Sequence, residues 1–141
     1  MVMREASGDD PDAAAGVYLA GPNQWPGIDG FRATIERYQS AMGALGHSIV
    51  ELFVDAIGEE LPAQAFDPAT TWLRLLRYPP RPIPADGEYG SAPHVDFGAV
   101  TLVSQDDVGG LAVKAPSGAW VELDPLPGAH SYSTPSSVGL P

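Results

Sequence analysis

The chain has 141 residues, enough for one domain with a modest core, and 44% of them are hydrophobic. Its formal net charge of -11 repels phosphate backbones, which argues against nucleic acid as a partner. The sequence has no cysteine for disulfides or thiolate metal sites, and no apolar run that predicts a membrane span or a secretory leader. We therefore expect a cytoplasmic protein without a membrane partner.

The first segment, residues 1–15, combines acidic and small residues with little apolar content. This composition predicts a mobile acidic lead-in, and residues 16–141 are predicted to form a single domain. The next stretch contains several Gly and Pro residues around Trp25 and has no regular period. We expect it to be a loop that packs its indole ring against the rest of the domain.

Residues 31–57 predict a long amphipathic helix, with Asp29 as N-cap and Gly58 as the stop. Its apolar residues recur at steps of three and four, which predicts one stripe that faces the core. The stripe consists of Phe31, Ile35, Tyr38, Met42, Leu45, Ile49, Leu52, Phe53 and Ile57.

The second half of the chain favours short strands and turns, because the sequence contains 16 Gly and 15 Pro. A strand is predicted at residues 71–78, ended by two prolines that cannot donate to a ladder. Residues 94–103 predict a buried strand with two largely apolar faces. Residues 111–113 and 120–123 predict an antiparallel hairpin. The fold class expected from these elements is mainly β with one long helix.

Within the predicted strand 94–103, His94 and Asp96 are two residues apart, so their side chains are expected on one face. An imidazole and a carboxylate supply two of the three ligands in the 2-His-1-carboxylate set that binds Fe(II). The H-x-D pattern occurs by chance in many proteins, so by itself it favours an ordinary surface pair.

Four blocks of sequence, in a fixed order, give the motif its context. Together they resemble the isopenicillin N synthase-like, 2-oxoglutarate- and Fe(II)-dependent oxygenases. The blocks are GPNQWP from Gly21, LRLLRYPP from Leu73, HVDFGAVTLVSQDDVGGL from His94 and WVELDPLPGA from Trp120. The resemblance implies a partial double-stranded β-helix (jelly-roll) with the long helix packed behind it. It also implies Fe(II) and 2-oxoglutarate as cofactors, and dioxygen and a small organic molecule as substrates.

The resemblance assigns roles to single residues and also shows where this sequence departs from the family. His94 and Asp96 match two iron ligands, and Tyr78 matches a position that reaches 2-oxoglutarate in many members. Ser136 stands where the family has its second histidine ligand, and the Arg-x-Ser that binds the 2-oxoglutarate carboxylate does not follow. The third ligand is therefore unknown, with His130 as a weak candidate.

These departures leave two functions open. The first is an oxygenase domain that oxidises a small organic substrate. The alternative is a truncated, catalytically inactive family fragment that acts at most as a weak metal-binding or interaction module. A jelly-roll of the lectin or cupin type explains the strands but not the four blocks together. Because the family pattern is incomplete at both ends, we also expect an exposed sheet edge and a homodimer formed through it.

Overall fold

The structure is a computed structural model that describes residues 1–60, 62, 65–66, 69–80, 88–96 and 98–134. The chain divides into two compact units, Met1–Arg77 and Tyr78–Pro141. The described residues form three two-stranded antiparallel sheets and two helices. In chain order the elements are β1 (Val2–Met3), α1 (Pro11–Ala14), α2 (Phe31–Ala56), β2 (Trp72–Leu73), β3 (Thr101–Val103), β4 (Ala112–Lys114), β5 (Trp120–Glu122) and β6 (Ser131–Ser133). No helix in this described part is both long and apolar enough to cross a bilayer.

The long helix predicted at residues 31–57 is confirmed as α2. Its predicted N-cap is wrong. The cap is Gly30, which has a φ of 74° and no side-chain hydrogen bond to the helix, so Asp29 lies one residue too early. The backbone enters the helix through a left-handed residue, a conformation that glycine adopts without steric cost.

The C-terminal end of α2 is a Schellman motif built on Gly58, which confirms this residue as the stop. Gly58 has a φ of 74°, and its N–H donates to the Asp55 carbonyl at 3.0 Å. The Glu59 N–H donates to the Val54 carbonyl at 3.1 Å. These two bonds satisfy carbonyls that the last helical turn would otherwise leave unpaired.

The same substitution is expected to have opposite effects at a glycine within α2 and at the glycine that follows its C-cap. Gly58→Ala should destabilise the chain by about 1 kcal/mol, because an L side chain strains the left-handed backbone. Gly43→Ala should stabilise it by about 0.5 to 1 kcal/mol, because alanine restricts the unfolded chain and favours the helix. A Cβ at Gly43 meets nothing within 4 Å. Urea unfolding followed by helical circular dichroism measures both changes, and equal signs would contradict this description of the helix end.

The apolar stripe of α2 is only partly covered, so its interpretation as core is wrong for much of its length. Ile35 is buried at 9% exposure, whereas four of the five stripe members from Leu45 onward are exposed. The exposed members are Leu45, Leu52, Phe53 and Ile57. An amphipathic pattern identifies the apolar side of a helix but not the element that covers it.

The segment 1–15, predicted to be mobile, contains β1 and α1 in the structure. Strand β1 pairs with β2, and the Asn23 side chain makes two further hydrogen bonds to the backbone of β1. Asn23 Oδ1 accepts from the Met3 N–H, and Asn23 Nδ2 donates to the Met3 carbonyl, both at 2.9 Å. Asn23 also donates to the Glu5 carboxylate at 2.7 Å, and this hydrogen bond holds the pKa of Glu5 below its ordinary value.

The loop predicted around Trp25 packs its indole as expected. The ring meets Phe31 edge to face, with 6.5 Å between centroids, and the Arg32 guanidinium lies 5.3 Å from its centre. The strand predicted at 71–78 is shorter than expected, because β2 covers only Trp72–Leu73 and its partner β1 is equally short.

In the second unit, the predicted hairpin is confirmed as β4 paired with β5. The strand predicted at 94–103 is wrong at residues 94–96 and 98–100, since β3 begins at Thr101, and residue 97 lies outside the described residues. Gly98 has a φ of 103°, which interrupts an extended strand. The partner of β3 is β6, which the sequence analysis did not predict, and Thr101 lies opposite Ser133.

Candidate metal centre

His94 and Asp96 come together in an irregular segment just before β3. His94 Nε2 lies 3.4 Å from Asp96 Oδ1. The spacing of the two residues predicted this proximity on one face of a strand, whereas in the structure the two side chains meet in a loop. A metal ion about 2.1 Å from each of two neighbouring donor atoms leaves these atoms roughly 3 Å apart. The pair therefore has suitable spacing and chemistry to bind one divalent cation.

The other ring nitrogen of His94 fixes the tautomer of the imidazole. Nδ1 lies 2.8 Å from the carbonyl oxygen of Ala92. Because a carbonyl only accepts hydrogen bonds, Nδ1 must carry the proton and donate it. In the neutral ring, the lone pair is then on Nε2, the atom that faces Asp96. Metal-binding histidines commonly use their second nitrogen in this way.

The Asp96 carboxylate is held by a serine from a distant part of the sequence. Ser133 Oγ donates to Asp96 Oδ2 at 2.9 Å, and Ser133 is 9% exposed. The Asp96 side chain is half as exposed as that of His94, at 19% against 40%. No role for Ser133 was predicted from the sequence. The available indication was the alternation of Ser131, Tyr132 and Ser133 after the turn at Gly128.

The third ligand of the predicted set stays a prediction. Within the described ranges, no group of three His, Cys, Asp or Glu side chains is placed to hold one metal ion. His130, the weak candidate, lines a cavity of about 100 Å³ together with Gln105 and Asp124. Ser136 lies outside the described residues. The two donors of His94 and Asp96 fit a divalent metal, and the completing donor is unassigned.

Tyr78, predicted to reach 2-oxoglutarate, lies in the same unit as His94 and is 53% exposed. Its ring lies against the backbone of Gly90. A Cβ added at Gly90 would be 3.0 Å from Tyr78 Cδ1, which is closer than side chains normally approach. Glycine at this position therefore allows the observed orientation of the tyrosine ring. The cofactor role of Tyr78 stays a prediction.

Comparison with known proteins identifies the class to which this chain is related. Residues 69–135, which include His94, Asp96 and Ser133, match the 2OG-Fe(II) oxygenase superfamily. The chain is 36% identical over 140 residues to the 2-oxoglutarate-Fe(II) type oxidoreductase hxnY of Emericella nidulans, covering 92% of this chain and 40% of that protein. It is 37% identical over 139 residues to the 2-oxoglutarate-dependent dioxygenase citB of Monascus ruber, covering 86% of this chain and 41% of that protein.

A third relative is named after a differentiation process and not after a reaction. The sexual differentiation process protein isp7 of Schizosaccharomyces pombe is 38% identical over 116 residues, covering 77% of this chain and 28% of that protein. The names of hxnY and citB indicate the class of 2-oxoglutarate-dependent oxidoreductases. The chain belongs to the 2OG-Fe(II) oxygenase superfamily. It spans about two fifths of the length of hxnY and citB.

Proposed function

We propose that this chain is a domain of a 2-oxoglutarate- and Fe(II)-dependent dioxygenase that oxidises a small organic substrate. The observation that carries the proposal is the pair of donor atoms, His94 Nε2 and Asp96 Oδ1, 3.4 Å apart. The pair lies inside the segment that matches the superfamily. His94 and Asp96 would supply two of the three ligands of a 2-His-1-carboxylate site.

In this proposal each residue has a limited and definite task. His94 keeps its proton on Nδ1 through Ala92 and offers Nε2 to the metal. Asp96 supplies a negative charge that offsets part of the charge of the cation. The Tyr78 hydroxyl would donate a hydrogen bond to a carboxylate of 2-oxoglutarate. Bound Fe(II), with 2-oxoglutarate and dioxygen, supplies the oxidising chemistry, while the protein orients the reactants and limits access of water.

We also propose a fold, an oligomeric state and a cellular location for this chain. The antiparallel pairs β3–β6 and β4–β5 support a partial jelly-roll, because this fold is built from antiparallel strands. We include in the proposal a homodimer formed through a sheet edge, since each sheet of the described residues contains only two strands. A cytoplasmic location fits a sequence without cysteine.

The alternative, a catalytically inactive module, makes a different prediction about cofactor turnover. The full chain is incubated with Fe(II), 2-oxoglutarate and dioxygen, and succinate is measured with and without a panel of small organic acids and phenols. The proposed function predicts succinate that requires both Fe(II) and 2-oxoglutarate and falls to the background level in His94→Ala. Succinate no higher than in this variant under every condition would overturn the dioxygenase proposal in favour of the inactive module.

A further inference from the structure

Ser133 makes a contact to the candidate metal centre that metal ligation alone does not explain. Its hydroxyl donates to Asp96 Oδ2 across 37 positions of sequence, at 2.9 Å. The serine is buried, at 9% exposure, and is the one polar residue in the described part of the chain that is buried to this degree. A buried hydroxyl needs a hydrogen-bond partner, and the carboxylate is that partner.

The ladder between β3 and β6 sets the position of this hydroxyl. Ser133 pairs with Thr101, and Tyr132 and Ser131 pair with the next two residues of β3. Asp96 precedes β3 in the chain by only a few residues. The pairing of the two strands therefore brings the serine to the loop that carries His94 and Asp96.

From this contact we infer that Ser133 is a positioning residue. Its hydrogen bond occupies one oxygen of the Asp96 carboxylate and leaves the other oxygen facing His94. The inference rests on the proposed function, because it assumes that His94 and Asp96 bind the metal. Oδ2 accepts the serine hydrogen bond, while Oδ1 lies 3.4 Å from His94 Nε2. A carboxylate held at one oxygen loses less rotational freedom when the other oxygen binds a cation.

The test compares metal binding in Ser133→Ala, Ser133→Thr and Ser131→Ala under anaerobic conditions, with Fe(II) as the titrant. Ser133→Ala should weaken Fe(II) binding about 10- to 100-fold, the usual effect of removing a hydrogen-bond partner of a metal ligand. Ser133→Thr keeps the hydroxyl and should restore binding to within about 3-fold of the unchanged chain. Ser131→Ala removes the same group from the same strand, two residues away, and should leave the affinity unchanged.

A second readout separates positioning from a loss of folding. The visible absorption spectrum of Co(II) bound in place of Fe(II) reports the arrangement of its donor atoms. If Ser133 positions Asp96, the Ser133→Ala spectrum changes shape. If Ser133 only stabilises the β3–β6 ladder, the amplitude falls in proportion to the folded fraction and the shape is unchanged, which would overturn the inference.

The failure of the inference and the failure of the proposed function are distinguishable through Asp96→Ala. Loss of metal binding in Asp96→Ala, with Ser133→Ala unchanged in affinity and spectrum, would reject only the role of Ser133. Metal binding that survives Asp96→Ala would reject the metal site itself, and the role of Ser133 with it.

Discussion

His94→Ala is expected to lower the affinity of the chain for Fe(II) by roughly 100-fold or more, a larger effect than removal of a supporting residue. The substitution removes the imidazole nitrogen that faces Asp96 Oδ1 at 3.4 Å. It leaves the carboxylate as a lone donor without its neighbour. Anaerobic titration with Fe(II), followed by a competing chromophoric chelator, measures the change in affinity.

His130→Ala is the matched control, because it makes the same substitution at a histidine of the same unit. His130 lines the cavity with Gln105 and Asp124, and it does not join His94 and Asp96 in a group of three ligands within the described residues. Its substitution is therefore expected to leave Fe(II) affinity unchanged. An equal loss in both variants would identify His130 as a ligand and contradict the arrangement described above.

Ile35→Ala is expected to destabilise the first unit by about 2 to 4 kcal/mol, because it removes a buried aliphatic side chain and leaves a cavity. Ile35 is the largest apolar residue among the buried hydrophobics of the described chain, the other two being Ala6 and Ala112. Urea unfolding followed by helical circular dichroism measures the loss. If the variant is unfolded from the start, Ile35→Val should still give a measurable loss of about 1 kcal/mol.

Leu52→Ala is the control for Ile35→Ala, since it removes the same number of carbon atoms from the same helix. Leu52 is 69% exposed, so its substitution is expected to cost less than about 0.5 kcal/mol. A cost at Leu52 as large as that at Ile35 would show that the C-terminal part of the stripe is covered in solution. This outcome would contradict the exposure of Leu52 in the structure.

The elements that sequence predicted well are those whose determinants are local. The helix α2 follows from its apolar period, and its end follows from Gly58, which adopts the left-handed conformation of a Schellman motif. The β4–β5 hairpin follows from alternating residues on both sides of a tight turn, in which Gly118 has a φ of 87°. In both cases nearby residues alone specify the backbone.

The elements that sequence predicted poorly depend on distant partners. Strand β6 has a weak pattern of its own and exists as the partner of β3, about 30 residues earlier in the chain. The apolar face of α2 is visible in the sequence, but the exposure of Leu52 depends on which elements lie beside it. The position of Gly30 as N-cap was missed because a polar residue, Asp29, precedes it and is the commoner cap.

In the candidate metal centre, too, the local spacing was predictable from the sequence and the contacts that orient the two groups were not. The spacing of His94 and Asp96 indicated a shared site, although their contact arises in a loop and not on a strand. The Ala92 carbonyl and the Ser133 hydroxyl, which orient the two groups, could not be assigned from spacing. The first is a backbone atom, and the second depends on the pairing of β3 with β6.

The most direct test of the central claim is a nitrogen-detected spectrum of the chain with 15N-labelled histidine, recorded during titration with Zn(II) as a diamagnetic probe. The sequence has three histidines, so each ring can be followed separately. We predict that His94 is the Nδ1–H tautomer before metal is added and that its Nε2 resonance moves first, in a step that Asp96→Ala abolishes. A first response at His47 or His130, or no response of His94 at any Zn(II) concentration that saturates the chain, would contradict this prediction.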